Sequence, residues 1–111
     1  KLVTTLAETT ARVFGAKVEV THTKQYMNMK KELDKKPNVV QKLVKAYRDA
    51  GVDPVFVPIR GGTDGSRLTE MGIPTPNIFT GGHNFHSRTE WASLEQMCAA
   101  LNVIINLISV D

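Results

Sequence analysis

Two glycine-opened loops carry the residues best suited to chemistry. The first, Arg60-Gly61-Gly62-Thr63-Asp64-Gly65, follows the apolar run Val55 to Ile59, and the second, Gly81-Gly82-His83-Asn84-Phe85-His86-Ser87, follows Asn77-Ile78-Phe79-Thr80. Both are strand-then-loop units. In sheets built this way, the loops at the carboxyl ends of strands bind ligands and present catalytic side chains. The two loops are therefore expected to face one site.

His86 is the first candidate, because a neutral imidazole is the commonest metal ligand and the glycines before it let the backbone aim it into a cleft. By itself a loop histidine is more often a surface or hydrogen-bonded one. His83, three residues earlier, completes a His-x-x-His pattern with no cysteine near it, and the closest carboxylate, Glu90, stands four residues beyond His86. Three metal ligands cannot be assembled from that set. Arg60 is the second candidate. A guanidinium before Gly61-Gly62 at a strand's end is placed to take a carboxylate in a two-pronged hydrogen bond, with a surface salt bridge as the plainer reading. Gly61-Gly62-Thr63 before a helix could cradle a phosphate, yet the Walker lysine and the dinucleotide glycine spacing are both missing. No Ser-His-Asp order or nucleophile elbow is present. His22 falls in a strand pattern and is read as structural.

The elements that position these loops follow from periodicity. Leu2, Val3, Leu6, Thr10, Val13 and Phe14 keep helical spacing, and Gly15 suits the left-handed residue that ends a helix, which predicts a helix over 2–14. Val18, Val20 and His22 alternate with polar residues, predicting a strand from Lys17 to Thr23, while Tyr26 to Asp34 reads as a polar connection. Asn38 with Gln41 looks like a cap for a helix over 39–50 that stops at Gly51. Val52 to Ile59 is strand-like, but Pro54 and Pro58 make it short or an edge. A short helix from Ser66 to Met71 takes Thr63 or Asp64 as its cap and Gly72 as its stop. Ile73 to Pro76 is extended, and Asn77 to Thr80 is a strand. Last, Ser93 with Gln96 is a capping box for a helix over 94–109, whose stripe is Leu94, Met97, Cys98, Leu101, Ile104, Ile105 and Ile108. From the 39–50 helix onward this alternation predicts an α/β fold with a parallel sheet.

Composition narrows the class. The 111 residues include 41% hydrophobic ones, enough for a core, and 14 Lys+Arg against 11 Asp+Glu give a net charge of +3. Much of the excess lies between Lys24 and Lys36 with only Tyr26 among it, a solvated face lacking the interleaved aromatics of a nucleic-acid surface. The lone Cys98 cannot form an internal disulfide and is expected to be a buried small hydrophobe. The longest apolar stretch, Val103 to Val110, is broken by Asn106 and Ser109 and falls short of the about 20 residues that span a bilayer. The amino end lacks a signal-peptide core, so a cytoplasmic protein is expected. The chain also opens without Met inside a helical pattern, which reads as a piece of something longer.

Ile59-Arg60-Gly61-Gly62-Thr63-Asp64-Gly65, Met71-Gly72-Ile73-Pro74-Thr75-Pro76-Asn77-Ile78-Phe79-Thr80-Gly81-Gly82 and Asn84-Phe85-His86-Ser87, with Glu90 and the long final helix, resemble the carboxyl-terminal part of the M20 zinc metallopeptidase family, in its tripeptide aminopeptidase branch. The likeness covers nearly the whole chain. It implies a catalytic α/β domain with two zinc ions (Zn2+) per active site, interrupted by a smaller lid domain. Residues 1–29 would be the last helix and strand of the lid, and residues 30–111 the carboxyl-terminal part of the catalytic domain. The resemblance matches His86 to the family's last zinc ligand, Arg60 to a position that holds the substrate's free carboxylate, and Gly81 and Gly82 to the loop beside the metals. Asp64 would order its own loop and helix start, and His83 stands where relatives often have tyrosine. In such enzymes a metal-bridging water, activated by a glutamate base, attacks the peptide carbonyl. The family's His-x-Asp motif, bridging aspartate and paired glutamates have no counterparts here. The expectation is a fragment, inactive and without zinc when alone, of an aminopeptidase acting on small peptides. Two further readings stay open: a non-catalytic association module, and a related M20 carboxypeptidase or deacetylase. Exposed strand edges predict a homodimer or a swapped assembly.

Overall fold

The last helix, α5 (Leu94–Ile108), begins where the sequence says it should. The Ser93 hydroxyl accepts the backbone N–H of Gln96 at 3.3 Å, which satisfies one of the unpaired donors of the first turn. The computed structural model describes residues 1–59 and 61–109; Arg60, Val110 and Asp111 lie outside the described residues. Its other elements are α1 (Leu2–Val13), α2 (Lys30–Leu33), α3 (Pro37–Asp49), α4 (Asp64–Glu70), β1 (Gly82–His83) and β2 (Trp91–Ala92).

The core sits between α3 and α5. Leu43, Ala46 and Val103 are buried there, with Tyr47, Ala50, Ile78, Phe79 and Leu107 packed around them. Ala46 and Val103 have no exposed surface, and the small Ala46 lets the two helices approach closely. Asn106 Nδ2 reaches across the crossing to the Ala46 carbonyl at 3.4 Å. Tyr47 then pins the segment before the second glycine loop. Its ring meets that of Phe79 at 5.6 Å between centroids, and its hydroxyl oxygen accepts the Phe79 N–H at 3.4 Å.

The radius of gyration is 19.6 Å, whereas a compact globule of this length has one of about 13 Å. Much apolar surface is consequently bare. Residues 55–57 of the expected second strand are 80%, 74% and 70% exposed, and no residue of α1 is buried.

The helix and strand mixture holds, but the parallel sheet does not form among the described residues. Their one ladder is antiparallel and two residues long, pairing Gly82 with Ala92 and His83 with Trp91. The stretches at 17–23, 52–59 and 77–80 form no strand, because period and composition favour an extended backbone while a strand also needs a neighbour to pair with. Within the expected connection, Lys30–Leu33 forms one helical turn that buries Leu33, with an exposed Lys30–Asp34 ion pair at 2.8 Å beside it. Helix α3 starts at Pro37, whose fixed φ suits the first helical position, so Asn38 is inside the helix and caps nothing. Cys98 is exposed, as are Leu94, Leu101 and Ile108, since α5 turns Ala100 and Val103 toward α3 instead of the broader stripe. No helix among the described residues is long and apolar enough to cross a membrane.

Candidate active site

The first glycine loop is fixed from within by Thr63. Its hydroxyl caps α4 by accepting the Ser66 N–H at 3.3 Å, and it also accepts Asn77 Nδ2 at 3.2 Å. Thr69 Oγ1 accepts the Thr75 N–H at 2.9 Å, so α4 is tied along the extended segment that leads to the second loop. Gly65 lies under that segment. A Cβ there would stand 2.7 Å from the Thr75 carbonyl oxygen, which explains why this helical position holds glycine. Asp64 opens α4, where a carboxylate favours the positive end of the helix dipole, in keeping with an ordering role.

The second loop is fastened to the start of α5. Gly81 is buried with φ +82°, and its carbonyl accepts the Ser93 N–H at 2.8 Å. A Cβ on Gly81 would meet Met97 N at 2.8 Å and the Ser93 carbonyl at 3.0 Å. Gly82 is pressed by the Phe85 ring, and it opens the ladder that closes the loop.

His86 sits at the far end of that loop with φ +65°, and Asn84 has φ +54°. Left-handed backbone is uncommon for residues other than glycine and costs on the order of 1 kcal/mol or more, so the surrounding bonds must impose it. Those bonds are visible. The His86 N–H donates to the Glu90 carboxylate at 3.1 Å, the Ser87 N–H to the Asn84 carbonyl at 3.1 Å, and Asn84 Nδ2 to the Thr89 carbonyl at 3.4 Å. The His86 side chain itself is exposed and makes no hydrogen bond to another described residue. Its loop is thus rigidly tied through the backbone while the imidazole stays available.

His83 is differently employed. Its Nε2 is 2.7 Å from Gln96 Oε1 and its ring stacks on Trp91 at 4.1 Å, so it braces the ladder. His22 bonds Thr4 Oγ1 through Nε2 at 2.7 Å, a structural use matching its sequence reading. The residues described do not fit a zinc centre by themselves. No group of three His, Cys, Asp or Glu side chains that could hold a metal ion occurs among them. Gly81, Gly82 and His86 share one loop; Arg60, the expected carboxylate clamp, falls outside the described residues.

Two contacts here have no sequence signature. Gln96 serves both the helix cap and His83, and the Tyr26 ring lies against Gly62.

A family model for "Peptidase family M20/M25/M40" matches residues 2–110. The chain belongs to that family. Among curated relatives of this M20/M25/M40 member, Peptidase T of Clostridium perfringens is 50% identical over 93 residues, which cover 84% of this chain and 23% of that protein. Peptidase T of Streptococcus equi is 49% identical over 107 residues, covering 96% of this chain and 26% of that protein. Peptidase T of Shewanella sediminis is 50% identical over 90 residues, 81% of this chain and 22% of that protein. The chain therefore spans about a quarter of the length of the relatives it matches.

Proposed function

We propose that this chain supplies the carboxyl-terminal portion of a zinc-dependent cytoplasmic aminopeptidase that releases the N-terminal residue of tripeptides. The observation that carries the reading is the M20/M25/M40 match over residues 2–110, which contains both glycine loops. His86 contributes one zinc ligand to a centre whose other ligands lie outside this sequence. The exposed imidazole on a backbone-anchored loop supports that role, because a ligand needs a fixed position and a free nitrogen. Arg60, Gly81 and Gly82 act on the substrate side. Arg60 holds the free carboxylate, and the two glycines keep the loop close to α5 and clear of the bound peptide.

Residues 1–29 are assigned to the lid and 30–111 to the catalytic domain. The absence of buried residues in α1 supports treating the first part as a separate module. The bare apolar surface of α5 and of residues 55–57 favours a second reading, in which this segment serves association through its exposed faces.

The test uses a hybrid in which residues 1–111 replace the matching 107-residue stretch of the Streptococcus equi Peptidase T. The hybrid should cleave a tripeptide with zinc and the isolated chain should not. Metal-dependent turnover by the isolated chain would overturn the reading, and an inactive but folded hybrid would favour the association module.

A further inference from the structure

The first glycine loop is held from two sides. On one side the Thr75 to Asn77 segment crosses Gly65, and on the other the ring of Tyr26 lies on Gly62. A Cβ at Gly62 would stand 2.5 Å from Tyr26 Cε1 and 2.8 Å from Cγ, so the ring needs a glycine beneath it. Gly61 beside it has nothing within 4 Å of its own Cβ position, which makes Tyr26 the specific cause of the close approach at 62. Tyr26 comes from far away in sequence, on the segment between α1 and α2. Gln25, Tyr26, Gly62, Thr63, Asp64 and Arg67 together line an open polar hollow at this junction.

That segment is a strap with an attachment at each end. Toward the amino end, His22 bonds Thr4 of α1 at 2.7 Å. At the other end, Lys24 Nζ is 3.4 Å from Glu70 Oε1 at the close of α4, and Tyr26 sits on the loop. The Lys24 pair is exposed and worth little in water, so the ring contact is the firmer of the two. Five residues, His22 to Tyr26, thus connect α1 to the loop that carries the proposed carboxylate clamp.

We propose that Tyr26 is a positioning residue that sets the Gly61-Gly62-Thr63 loop for substrate binding and couples it to the placement of the α1 module. Its effect on kinetics rests on the peptidase reading above, while the ring contact stands independently of it. The contact is made by ring carbons, so phenylalanine can replace tyrosine and alanine cannot. Removing the ring frees the loop without touching the reacting atoms, which raises KM and spares kcat.

Two measurements test this, one of them independent of activity. In the 111-residue chain, the Gly62 Hα resonances should lie upfield, shifted by the Tyr26 ring, and should return to ordinary values in Tyr26→Ala. Unshifted Gly62 resonances in the parent chain would overturn the contact whether or not the peptidase reading holds. In the Streptococcus equi hybrid, Tyr26→Ala should raise KM for a tripeptide about tenfold with kcat within about twofold, and Tyr26→Phe should stay within about twofold on both. Gly62→Ala should raise KM similarly, and adding Tyr26→Ala to it should bring no further loss, since the two act through one contact. A drop in kcat and melting temperature with KM unchanged would mark Tyr26 as merely structural and overturn the proposal. An unsubstituted hybrid without turnover would count against the peptidase reading, and the Gly62 resonances would still decide the contact.

Discussion

The imidazole of His83 lies flat on the indole of Trp91, ring centroids 4.1 Å apart and planes 15° from parallel, across the two-residue ladder that closes the second glycine loop. This pair decides what His83 is for. A ring committed to a cross-strand stack and to Gln96 is a brace, and it leaves His86 as the loop's available imidazole. Replacing His83 by Ala should loosen the ladder by ~1 kcal/mol, the usual worth of such a cross-strand aromatic pair. Trp91 is the sole tryptophan, so a red-shifted emission in His83→Ala reports the loosening directly. Unchanged emission would mean that the stack does not persist in solution.

Gly81→Ala should be the most damaging single change in the loop. The position combines φ +82° with contacts at 2.8–3.0 Å to Met97 N and the Ser93 carbonyl, none of which is a flexible side-chain end. A loss of roughly 2–4 kcal/mol is expected from left-handed strain plus overlap, read as a lowered urea midpoint. Gly61→Ala, with open space around it, serves as the comparison and should change the midpoint little.

Thr63→Ala removes the cap of α4 and the acceptor for Asn77 Nδ2 together. The expected cost is about 1–2 kcal/mol, with Thr63→Ser restoring most of it because the hydroxyl returns. Amide exchange at Ser66 is the direct readout, and it should quicken in the alanine variant only.

On α5 the two faces should answer differently. Val103 is fully buried against α3, and Val103→Ala should cost about 2 kcal/mol in thermal unfolding. Leu101 is 55% exposed, so Leu101→Ser should leave unfolding nearly unchanged. It should instead reduce concentration-dependent association of the isolated chain, measured by sedimentation. Association that persists unaltered in Leu101→Ser would place the contact surface elsewhere, for example on residues 55–57.

What the sequence made legible was local. The caps at Ser93 and Thr63, the stops at Gly15, Gly51 and Gly72, and the lengths of α1 and α5 all depend on neighbours within one helical turn. Pro37 misled because its own preference for the first helical position outweighs the side-chain cap that Asn38 offered. Strand pairing was not legible, since a ladder depends on partners distant in sequence, and residues 17–23 and 52–59 have none among the described residues. The stripe on α5 is apolar as its period predicts, but period alone does not name its neighbour, and the helix buries Ala100 and Val103 instead. For the site, residue type pointed to His86 and to the glycines. The left-handed backbone at His86 and the Glu90 bond beside it are local but have no residue-type signature, and the Tyr26 ring on Gly62 is a tertiary contact between segments distant in sequence.

The most direct test of the central claim, that His86 is one ligand of a zinc centre completed by residues outside this chain, is the metal content of the Streptococcus equi hybrid with and without His86→Ala. Zinc per polypeptide should fall in His86→Ala and tripeptide turnover should drop by at least about a hundredfold, while His83→Ala keeps its zinc. Full zinc content and normal turnover in the His86→Ala hybrid would contradict the account.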